Sequence, residues 1–256
     1  MKLRGSAAIV TGSSSSQGVG GEVAKSLAER GCNVAVNYAS NAQGADEVVA
    51  ECKEFGVDAV AIRCDVSRDD DCRAIVREVA DRWGRLDILV NNAAVTRPIP
   101  LADLEAVEAD EFFRVMAVNL VGAYQMARAA TPHLRDAGDA AIVNVSSLGG
   151  SIGAGSSIPY ATSKGALNSL TLLLARVLAP EVRVNAVLPG VMIGSWTRKM
   201  LDEEGYASRV AEARSNHLQQ PLTPAHVAST IRWVIEEGRG MTGELLRIDS
   251  GQHLRQ

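Results

Sequence analysis

Two kinds of apolar pattern alternate along this chain of 256 residues. Short runs rich in Val, Ile and Ala are apolar on both faces, and longer stretches repeat apolar residues at intervals of three and four. The short runs predict strands at residues 7–11, 33–38, 59–64, 87–91, 140–146, 182–187 and 244–248. The longer stretches predict helices at residues 19–30, 42–55, 70–83, 104–134, 158–178 and 224–237.

Strands that alternate with helices and are apolar on both faces are typical of a parallel sheet covered by helices on both sides. Right-handed crossovers make such a sheet doubly wound. We therefore predict an α/β fold of the doubly wound Rossmann type with a seven-stranded parallel sheet. No linker, repeat or low-complexity run divides the sequence, so residues 1–256 are predicted to form a single domain.

The segment 190–221 is the longest stretch without a predicted element. It combines Trp196, Met200 and Tyr206 with many charges, and it follows the carboxyl end of a predicted strand. Doubly wound folds bind ligands at that edge, and a segment of this length outside the sheet is usually functional. We expect a substrate lid here; the alternative is a helical excursion on the surface without a ligand role.

The composition is that of an ordinary globular protein, with 46% hydrophobic and 22% charged residues. The net charge of −4 offers no basic surface for nucleic acid or anionic lipid. The apolar run near the amino terminus is too short for a signal peptide, and no stretch reaches the roughly 18 residues of a membrane helix. We expect a cytoplasmic protein without nucleic-acid or membrane partners.

The four cysteines, Cys32, Cys52, Cys64 and Cys72, form no CxxC pair and have no neighbouring histidine. A tetrahedral zinc site needs such a cluster of ligands, so no metal site is predicted. We expect reduced cysteines with a structural role.

A glycine-rich loop follows the first predicted strand. Thr11-Gly12 leads through four serines to Gln17-Gly18-Val19-Gly20, and a helix follows directly. Glycine lets the backbone approach a pyrophosphate closely, and the amino terminus of a helix offers unpaired N–H groups. The order strand, glycines, helix predicts a dinucleotide site, although a flexible turn would explain the loop taken alone.

The end of the second strand bears on the choice of dinucleotide. It reads Asn37-Tyr38-Ala39-Ser40-Asn41, without the carboxylate that a NAD-binding protein usually places there. Since an anion avoids a carboxylate, NADP(H) is preferred, and NAD(H) is the alternative. Asp65, which ends the third strand, is assigned to the adenine edge, with a helix cap as the alternative.

Tyr160 and Lys164 are four residues apart in a predicted helix, so both project from one helix face. An ammonium beside a phenol moves the phenol pKa down from about 10 towards neutrality, where proton transfer is efficient. The pair predicts an acid–base tyrosine, although a surface pair has the same spacing. Ser147, at the end of a predicted strand, is placed to hydrogen-bond a substrate oxygen. The nearby Ser146 and Ser151 leave the serine assignment open.

A set of motifs then extends over essentially the whole chain. They are Thr11-Gly12 with Gly18 and Gly20, Asp65-Val66, Asn91-Asn92-Ala93-Ala94, Asn119 within 118–122, Ser147, Tyr160 with Lys164, and Pro189-Gly190. In this order they resemble the short-chain dehydrogenase/reductase family, with the 3-oxoacyl-carrier-protein reductases as the most similar branch. The resemblance implies a ketone or alcohol substrate and hydride transfer to or from a nicotinamide dinucleotide, with Tyr160 moving the proton.

The resemblance also assigns roles to single residues. It selects Ser147 as the catalytic serine, lets Lys164 hold the nicotinamide ribose hydroxyls, and lets Asn119 fix a water that links Lys164 to solvent. The candidate catalytic residues are therefore Asn119, Ser147, Tyr160 and Lys164. The candidate cofactor contacts are Gly12, Ser14, Gln17, Gly18, Val19, Asn37, Tyr38, Ser40, Asp65, Val66, Asn92, Ala93, Ala94, Tyr160, Lys164, Pro189, Gly190 and Met192. A homotetramer is implied as well, with helices 104–134 and 158–178 at one interface and residues 244–256 at another.

Three departures from the family pattern stand out. Residues 13–17 make the glycine loop two residues longer than usual, Ala94 replaces a frequent glycine, and Ser195 or Thr197 stands in for a threonine that contacts the carboxamide. No basic residue follows the Lys164 helix at Ala179-Pro180-Glu181, so docking of an acidic carrier protein has little support there. A non-catalytic dinucleotide-binding regulator and a methyltransferase are the alternatives from other classes.

Overall fold

Seven parallel strands form one sheet in the computed structural model, which describes residues 1–254. The strands are β1 (Ala7–Val10), β2 (Asn33–Tyr38), β3 (Ala59–Arg63), β4 (Ile88–Asn91), β5 (Ala140–Val145), β6 (Val182–Pro189) and β7 (Leu245–Ile248). Their order across the sheet is β3-β2-β1-β4-β5-β6-β7, and every neighbouring pair is parallel. The predicted seven-stranded, doubly wound Rossmann fold is confirmed.

Helices connect these strands. They are α1 (Val19–Ala28), α2 (Ala42–Lys53), α3 (Asp69–Trp83), α4 (Ala109–Met116), α5 (Ala123–Ala137), α6 (Gly149–Ile152), α7 (Ile158–Leu178), α8 (Ser195–Met200), α9 (Glu203–Arg214) and α10 (Pro224–Glu236). A π-helical turn, Ala117–Gly122, joins α4 to α5, and a 3-10 turn, Gln252–Leu254, lies near the carboxyl end. Within residues 1–254, no helix combines the length and apolar character needed to cross a membrane.

The two faces of the sheet bury separate apolar cores. In β1, Ala8 and Val10 pack in the core that contains Leu27 of α1, whereas Ile9 packs in the core that contains Met126 of α5. All five side chains are fully buried. Successive side chains of a strand point to opposite faces, which is why the strands are apolar at nearly every position.

The predicted helix over 104–134 is wrong in its start and in its continuity. The first helical residue is Ala109, because Asp103 accepts a hydrogen bond from the backbone N–H of Ala106 and forms a local turn instead. Leu104, the predicted first residue, is 68% exposed. The π-helical turn 117–122 then interrupts the regular helix, and such turns are frequent at functional sites.

The segment 190–221 contains α8 and α9 and joins β6 to α10. An isolated bridge between Met192 and Leu222 ties the two ends of this segment together. The segment therefore begins at the carboxyl edge of the sheet, as expected. Its role as a lid and the single-domain organisation of the chain stay predictions.

Candidate active site

A cavity of about 990 Å³ opens at the carboxyl ends of the strands. The strand order reverses between β1 and β4, and the cavity is lined from both sides of that point, by Gly12 after β1 and by Asn92 after β4. Open parallel sheets bind their ligands at such a switch point. Tyr160, Lys164 and Ser147 line the same cavity.

The glycine loop is held tightly against the segment that follows β4. Gly12 has a φ of 60°, and a Cβ added to it would lie 2.8 Å from the Cα of Ala93. Asn92 donates to the carbonyls of Thr11 and Gly12 at 2.8 and 2.9 Å, and Asn37 Oδ1 accepts from the N–H of Gly12 at 2.9 Å. Only glycine satisfies both the positive φ and the close approach.

The two extra residues of the loop are fixed by a charged cluster. The Ser16 hydroxyl donates to Glu51 at 2.7 Å, and Lys25 Nζ donates to the Ser16 carbonyl at 3.0 Å. Lys25 also pairs with Glu22 at 3.0 Å and with Glu51 at 3.1 Å. The Ser16 hydroxyl, and after it Lys25, hold the pKa of the Glu51 carboxyl below its ordinary value. The longer glycine loop is therefore fixed to α1 and α2 through Lys25 and Glu51.

The helix that follows the loop has an amino terminus suited to an anion. The N-cap of α1 is Gly18, which has no side chain to satisfy the first N–H groups, and Gly18, Val19 and Gly20 line the cavity. Uncapped N–H groups at the positive end of a helix dipole bind phosphates. Together with the close approach at Gly12, this cradle fits the pyrophosphate of a dinucleotide.

Of the adenosine contacts predicted at the end of β2, some line the cavity and one does not. Ser40 lines the cavity, but Tyr38 does not and packs against the apolar core instead. Asn37 lines the cavity with a side chain already bonded to Gly12 and to the Cys64 carbonyl. Neighbouring strand residues face opposite sides of the sheet, so Asn37 and Tyr38 cannot both face the cleft.

Asp65 lies on the cavity wall, where its Oδ1 accepts from the N–H and the hydroxyl of Ser67. The N-cap of α3 is Arg68, so Asp65 is not the cap of that helix. The remaining cofactor candidates also line the cavity: Val66, Ala93, Ala94, those in the glycine loop, and Pro189, Gly190 and Met192 after β6.

Tyr160 lies in the first turn of α7. Ser157 caps this helix by accepting from the Tyr160 N–H at 3.3 Å, and the Ser147 side chain hydrogen-bonds Tyr160. One turn later, Lys164 is 2% exposed and donates from Nζ to the Val145 carbonyl at 2.7 Å. The Lys164 Nζ lies 5.7 Å from the centre of the Tyr160 ring. The structure thus brings Ser147, Tyr160 and Lys164 together.

Burial dominates the electrostatics of this trio. It raises the pKa of the Tyr160 phenol, and the hydrogen bond from Ser147 opposes that rise. Burial also lowers the pKa of the Lys164 ammonium to about 8. The sequence-based expectation considered only the effect of the ammonium, which lowers the pKa of the phenol. Burial acts in the opposite direction on the phenol pKa, because removing both groups from water disfavours their charged forms.

The structure separates the two adjacent serines. Ser146 is 3% exposed, and its hydroxyl donates to Asn168 at 2.6 Å and contacts the Lys164 carbonyl at 3.1 Å. The Ser147 hydroxyl accepts from the Gly149 N–H at 3.1 Å and contacts Tyr160. Ser147 therefore occupies the position beside the phenol, while Ser146 holds α7 against β5.

Asn119 lies in the π-helical turn and is 1% exposed. Its side chain accepts from the Val95 N–H at 2.8 Å and donates to the Val95 carbonyl at 3.1 Å and to Ser163 at 3.0 Å. Ser163 directly precedes Lys164. The structure does not place Asn119 on the cavity wall, so it reaches the site through Val95 and Ser163.

On the apolar side of the cavity, the sequence singled out Trp196 and Met200 but none of the other residues. The wall on this side includes Val95, Pro98, Ile99, Pro100, Leu101, Leu148, Ile152, Trp196, Met200 and Leu201. The segment 95–101 is anchored to the start of α7 by a 2.8 Å contact between the hydroxyls of Thr96 and Ser156 and by the Ile99 N–H, which donates to the Ser156 carbonyl at 2.8 Å. Two prolines among apolar residues after a strand end were the available signal.

The segment 190–221 contacts the glycine loop. The Ser195 hydroxyl donates to the Gln17 carbonyl at 3.4 Å, whereas the Thr197 hydroxyl donates to the Met192 carbonyl at 2.6 Å. The Ser195 contact links α8 to the longer loop, and the Thr197 contact braces α8 against the strand end that precedes it.

The chain is similar to known proteins over nearly its whole length. A family model described as Enoyl-(Acyl carrier protein) reductase matches residues 12–253. The chain is 34% identical to the 3-oxoacyl-[acyl-carrier-protein] reductase FabG of Staphylococcus aureus, over 99% of this chain and 100% of the relative. A solved short chain dehydrogenase from Burkholderia cenocepacia in complex with NADP superposes with a TM-score of 0.88, at 33% identity, covering 99% of this chain and 100% of the other. The chain belongs to the short-chain dehydrogenase/reductase family.

Another relative of this family is named as ketoacyl reductase 2 of the granaticin polyketide synthase of Streptomyces violaceoruber. It is 40% identical over 249 residues, which are 96% of each chain. Membership of the family over this length makes the chain an NAD(P)-dependent oxidoreductase, and the predicted resemblance is confirmed.

Proposed function

We propose that the chain is an NADP(H)-preferring carbonyl reductase for an apolar ketone, with Tyr160 as the proton donor. The observation that carries this proposal is the grouping of Tyr160, Ser147 and Lys164 on a cavity wall that faces an apolar pocket. Oxidation of the corresponding secondary alcohol uses the same groups in reverse.

In the reductive direction, Tyr160 donates its hydroxyl proton to the carbonyl oxygen of the substrate. Ser147 hydrogen-bonds the same oxygen as negative charge develops on it. The buried Lys164 ammonium, 5.7 Å from the phenol ring, stabilises the phenolate left after proton transfer and is assigned to the nicotinamide ribose hydroxyls. A bound nicotinamide dinucleotide supplies the hydride.

Asn119 is proposed to act by positioning. Its three hydrogen bonds fix the backbone of Val95, which lines the substrate side, and the Ser163 hydroxyl, which accepts from Asn119 and donates to the Tyr160 carbonyl at 2.7 Å. Loss of the Asn119 amide is therefore expected to shift both the substrate wall and the first turn of α7.

The substrate class follows from the apolar wall. Met200 and Ile152 offer no hydrogen-bond partners for a polyol, which needs several, and Trp196 offers only its indole N–H. A 3-oxoacyl thioester, which carries a ketone, or another apolar ketone fits this wall better, and two relatives are named as reductases of ketoacyl groups. The specific alternative is therefore reduction of a 3-oxoacyl group on a carrier protein. We infer cytoplasmic localisation by the same analogy.

The assembly is proposed to be a homotetramer. Phe113 of α4, Tyr124 of α5 and Leu173 and Val177 of α7 are 70, 43, 58 and 62% exposed. Large apolar side chains clustered on exposed helix faces are typical of interfaces. A second interface is proposed at residues 244–256, of which 255–256 lie outside the described residues. Light scattering on the eluted protein measures the assembly.

The proposed chemistry is tested with Tyr160→Phe, which removes only the hydroxyl. We expect turnover to fall by at least about a thousandfold while NADPH affinity changes less than about twofold, because the phenol contributes its proton only to the reaction step. Tyr124→Phe is the control, since it makes the same change outside the cavity and keeps the aromatic ring at the proposed interface. The substrates are a β-ketoacyl thioester, an apolar ketone and a polyol, each with both dinucleotides.

Retained turnover in Tyr160→Phe would contradict the assignment of the proton donor. Stoichiometric NADPH binding without turnover on any of these substrates would instead favour the non-catalytic regulator. Faster turnover of the polyol would contradict the apolar substrate class.

A further inference from the structure

The strand β3 brings a cation to the end of β2 that the linear sequence does not suggest. In the parallel register of the two strands, Arg63 pairs with Tyr38, and the Cys64 N–H donates to the Tyr38 carbonyl at 2.9 Å. Arg63 therefore lies at the carboxyl edge of the sheet, directly beside residues 38–41. Cys64 and Ala39 line the cavity, whereas Arg63 is not part of its wall and reaches it through its contact with Ala39.

One guanidinium nitrogen of Arg63 is tethered at this edge. Its Nε donates to the Ala39 carbonyl at 3.3 Å, and the side chain is exposed. Among residues 1–254, no carboxylate forms an ion pair with Arg63, and its two terminal nitrogens donate no hydrogen bond. Arg82 is different, because Asp58, which precedes the other end of β3, occupies it in a two-pronged ion pair.

The cavity wall on either side of Ala39, the residue that Arg63 contacts, favours an anion. Ser14 and Ser40 line the cavity, and in the part of the chain that the structure describes neither hydroxyl forms a hydrogen bond within the protein. The first turn of α2, which starts just after Ser40, contains no acidic residue. A phosphate monoester fits two guanidinium N–H groups and neighbouring hydroxyls, since such charge-assisted hydrogen bonds are strong and directional.

We propose that Arg63 binds the 2′-phosphate of the adenosine ribose, with Ser14 and Ser40 as hydroxyl partners, and that it is the specificity-determining residue for NADP(H). This inference rests on the proposed NADP(H) preference and identifies its source. The cation comes from β3, the strand next to the one whose end usually decides this choice.

The test is calorimetric titration of the full chain with NADP⁺, NAD⁺, 2′,5′-ADP and 5′-AMP. In the wild type, we expect 2′,5′-ADP to bind more tightly than 5′-AMP. In Arg63→Gln, the affinities for NADP⁺ and 2′,5′-ADP are expected to fall by about tenfold or more, because a charged hydrogen-bond partner is lost. The affinities for NAD⁺ and 5′-AMP are expected to change less than about twofold. Arg63→Lys keeps the charge and is expected to lose less.

The control is Arg4→Gln, which makes the same change of charge at an exposed residue before β1, at the opposite edge of the sheet. It is expected to leave all four affinities unchanged. Equal losses for NADP⁺ and NAD⁺ in Arg63→Gln would overturn the assignment and indicate a structural role. A wild-type preference for NADP⁺ that survives in Arg63→Gln would overturn it while leaving the NADP(H) preference intact. Equal wild-type affinities for 2′,5′-ADP and 5′-AMP would overturn the preference itself and with it this assignment.

Discussion

The buried environment of Lys164 disfavours its positive charge, and the size of this effect leads to a quantitative prediction for stability. Burial lowers the pKa of its ammonium from an ordinary value of 10.5 to about 8. The difference corresponds to about 3 kcal/mol by which the buried ammonium disfavours the native state at neutral pH. The lysine is thus predicted to reduce stability in return for its proposed role beside Tyr160.

The pH dependence has a defined sign. The unfolded chain keeps the lysine proton up to about pH 10.5, whereas the native protein releases it near pH 8. Between these values the unfolded state binds more protons, so the free energy of unfolding rises with pH. The destabilisation by Lys164 therefore has its full size below about pH 8 and disappears above about pH 10.5.

Lys164→Met removes the ammonium but keeps most of the side-chain volume. It also removes the 2.7 Å hydrogen bond to the Val145 carbonyl. Leaving that carbonyl unsatisfied costs about 1–3 kcal/mol. We therefore expect the variant at about pH 7 to be as stable as the wild type, or up to about 2 kcal/mol more stable. This stability advantage is expected to shrink by about 2 kcal/mol between about pH 7 and about pH 9.5.

The assay is urea unfolding followed by circular dichroism at both pH values, for the wild type and the variant. Other titrating groups are common to both proteins, so they cancel in the difference. Lys2→Met, at an exposed lysine, is expected to show no pH-dependent difference. A difference between Lys164→Met and the wild type that is the same at both pH values would refute the reasoning.

Three further substitutions test other contacts of the structure. Gly20→Ala places a Cβ 2.6 Å from Asn92 Nδ2, so dinucleotide affinity measured by calorimetry should fall at least about tenfold, while Gly240→Ala, which has open space, should not change it. Asn119→Ala should lower kcat more than dinucleotide affinity in steady-state kinetics, because it releases groups at the reacting end of the cavity. Arg85→Ala removes the half-exposed ion-pair partner of the buried Asp87 carboxylate, which keeps its hydrogen bond from the Ala7 N–H, so the free energy of unfolding should fall by about 1–2 kcal/mol in urea melts.

The strand pattern predicted the sheet well, because strands buried on both faces carry apolar residues at nearly every position. The helix 104–134 failed because periodicity detects neither a competing side-chain turn at Asp103 nor a π-helical turn at 117–122. The π-helical turn rotates the apolar face of the following helix only partly relative to the preceding one. The apolar repeat of the sequence therefore continues across the turn.

The sequence by itself determined the fold class, the glycine loop and the set of chemical groups, since motif spacing along one helix or one strand end is local. It also placed Tyr160 and Lys164 on one helix face. The tertiary structure decided which of two adjacent serines contacts the phenol, because Ser146 is bonded to Asn168 on another element. It also decided that Tyr38 faces the core and that Arg63 lies beside Ala39. These outcomes depend on which strands become neighbours and which face each residue takes, and both are fixed only when the sheet assembles.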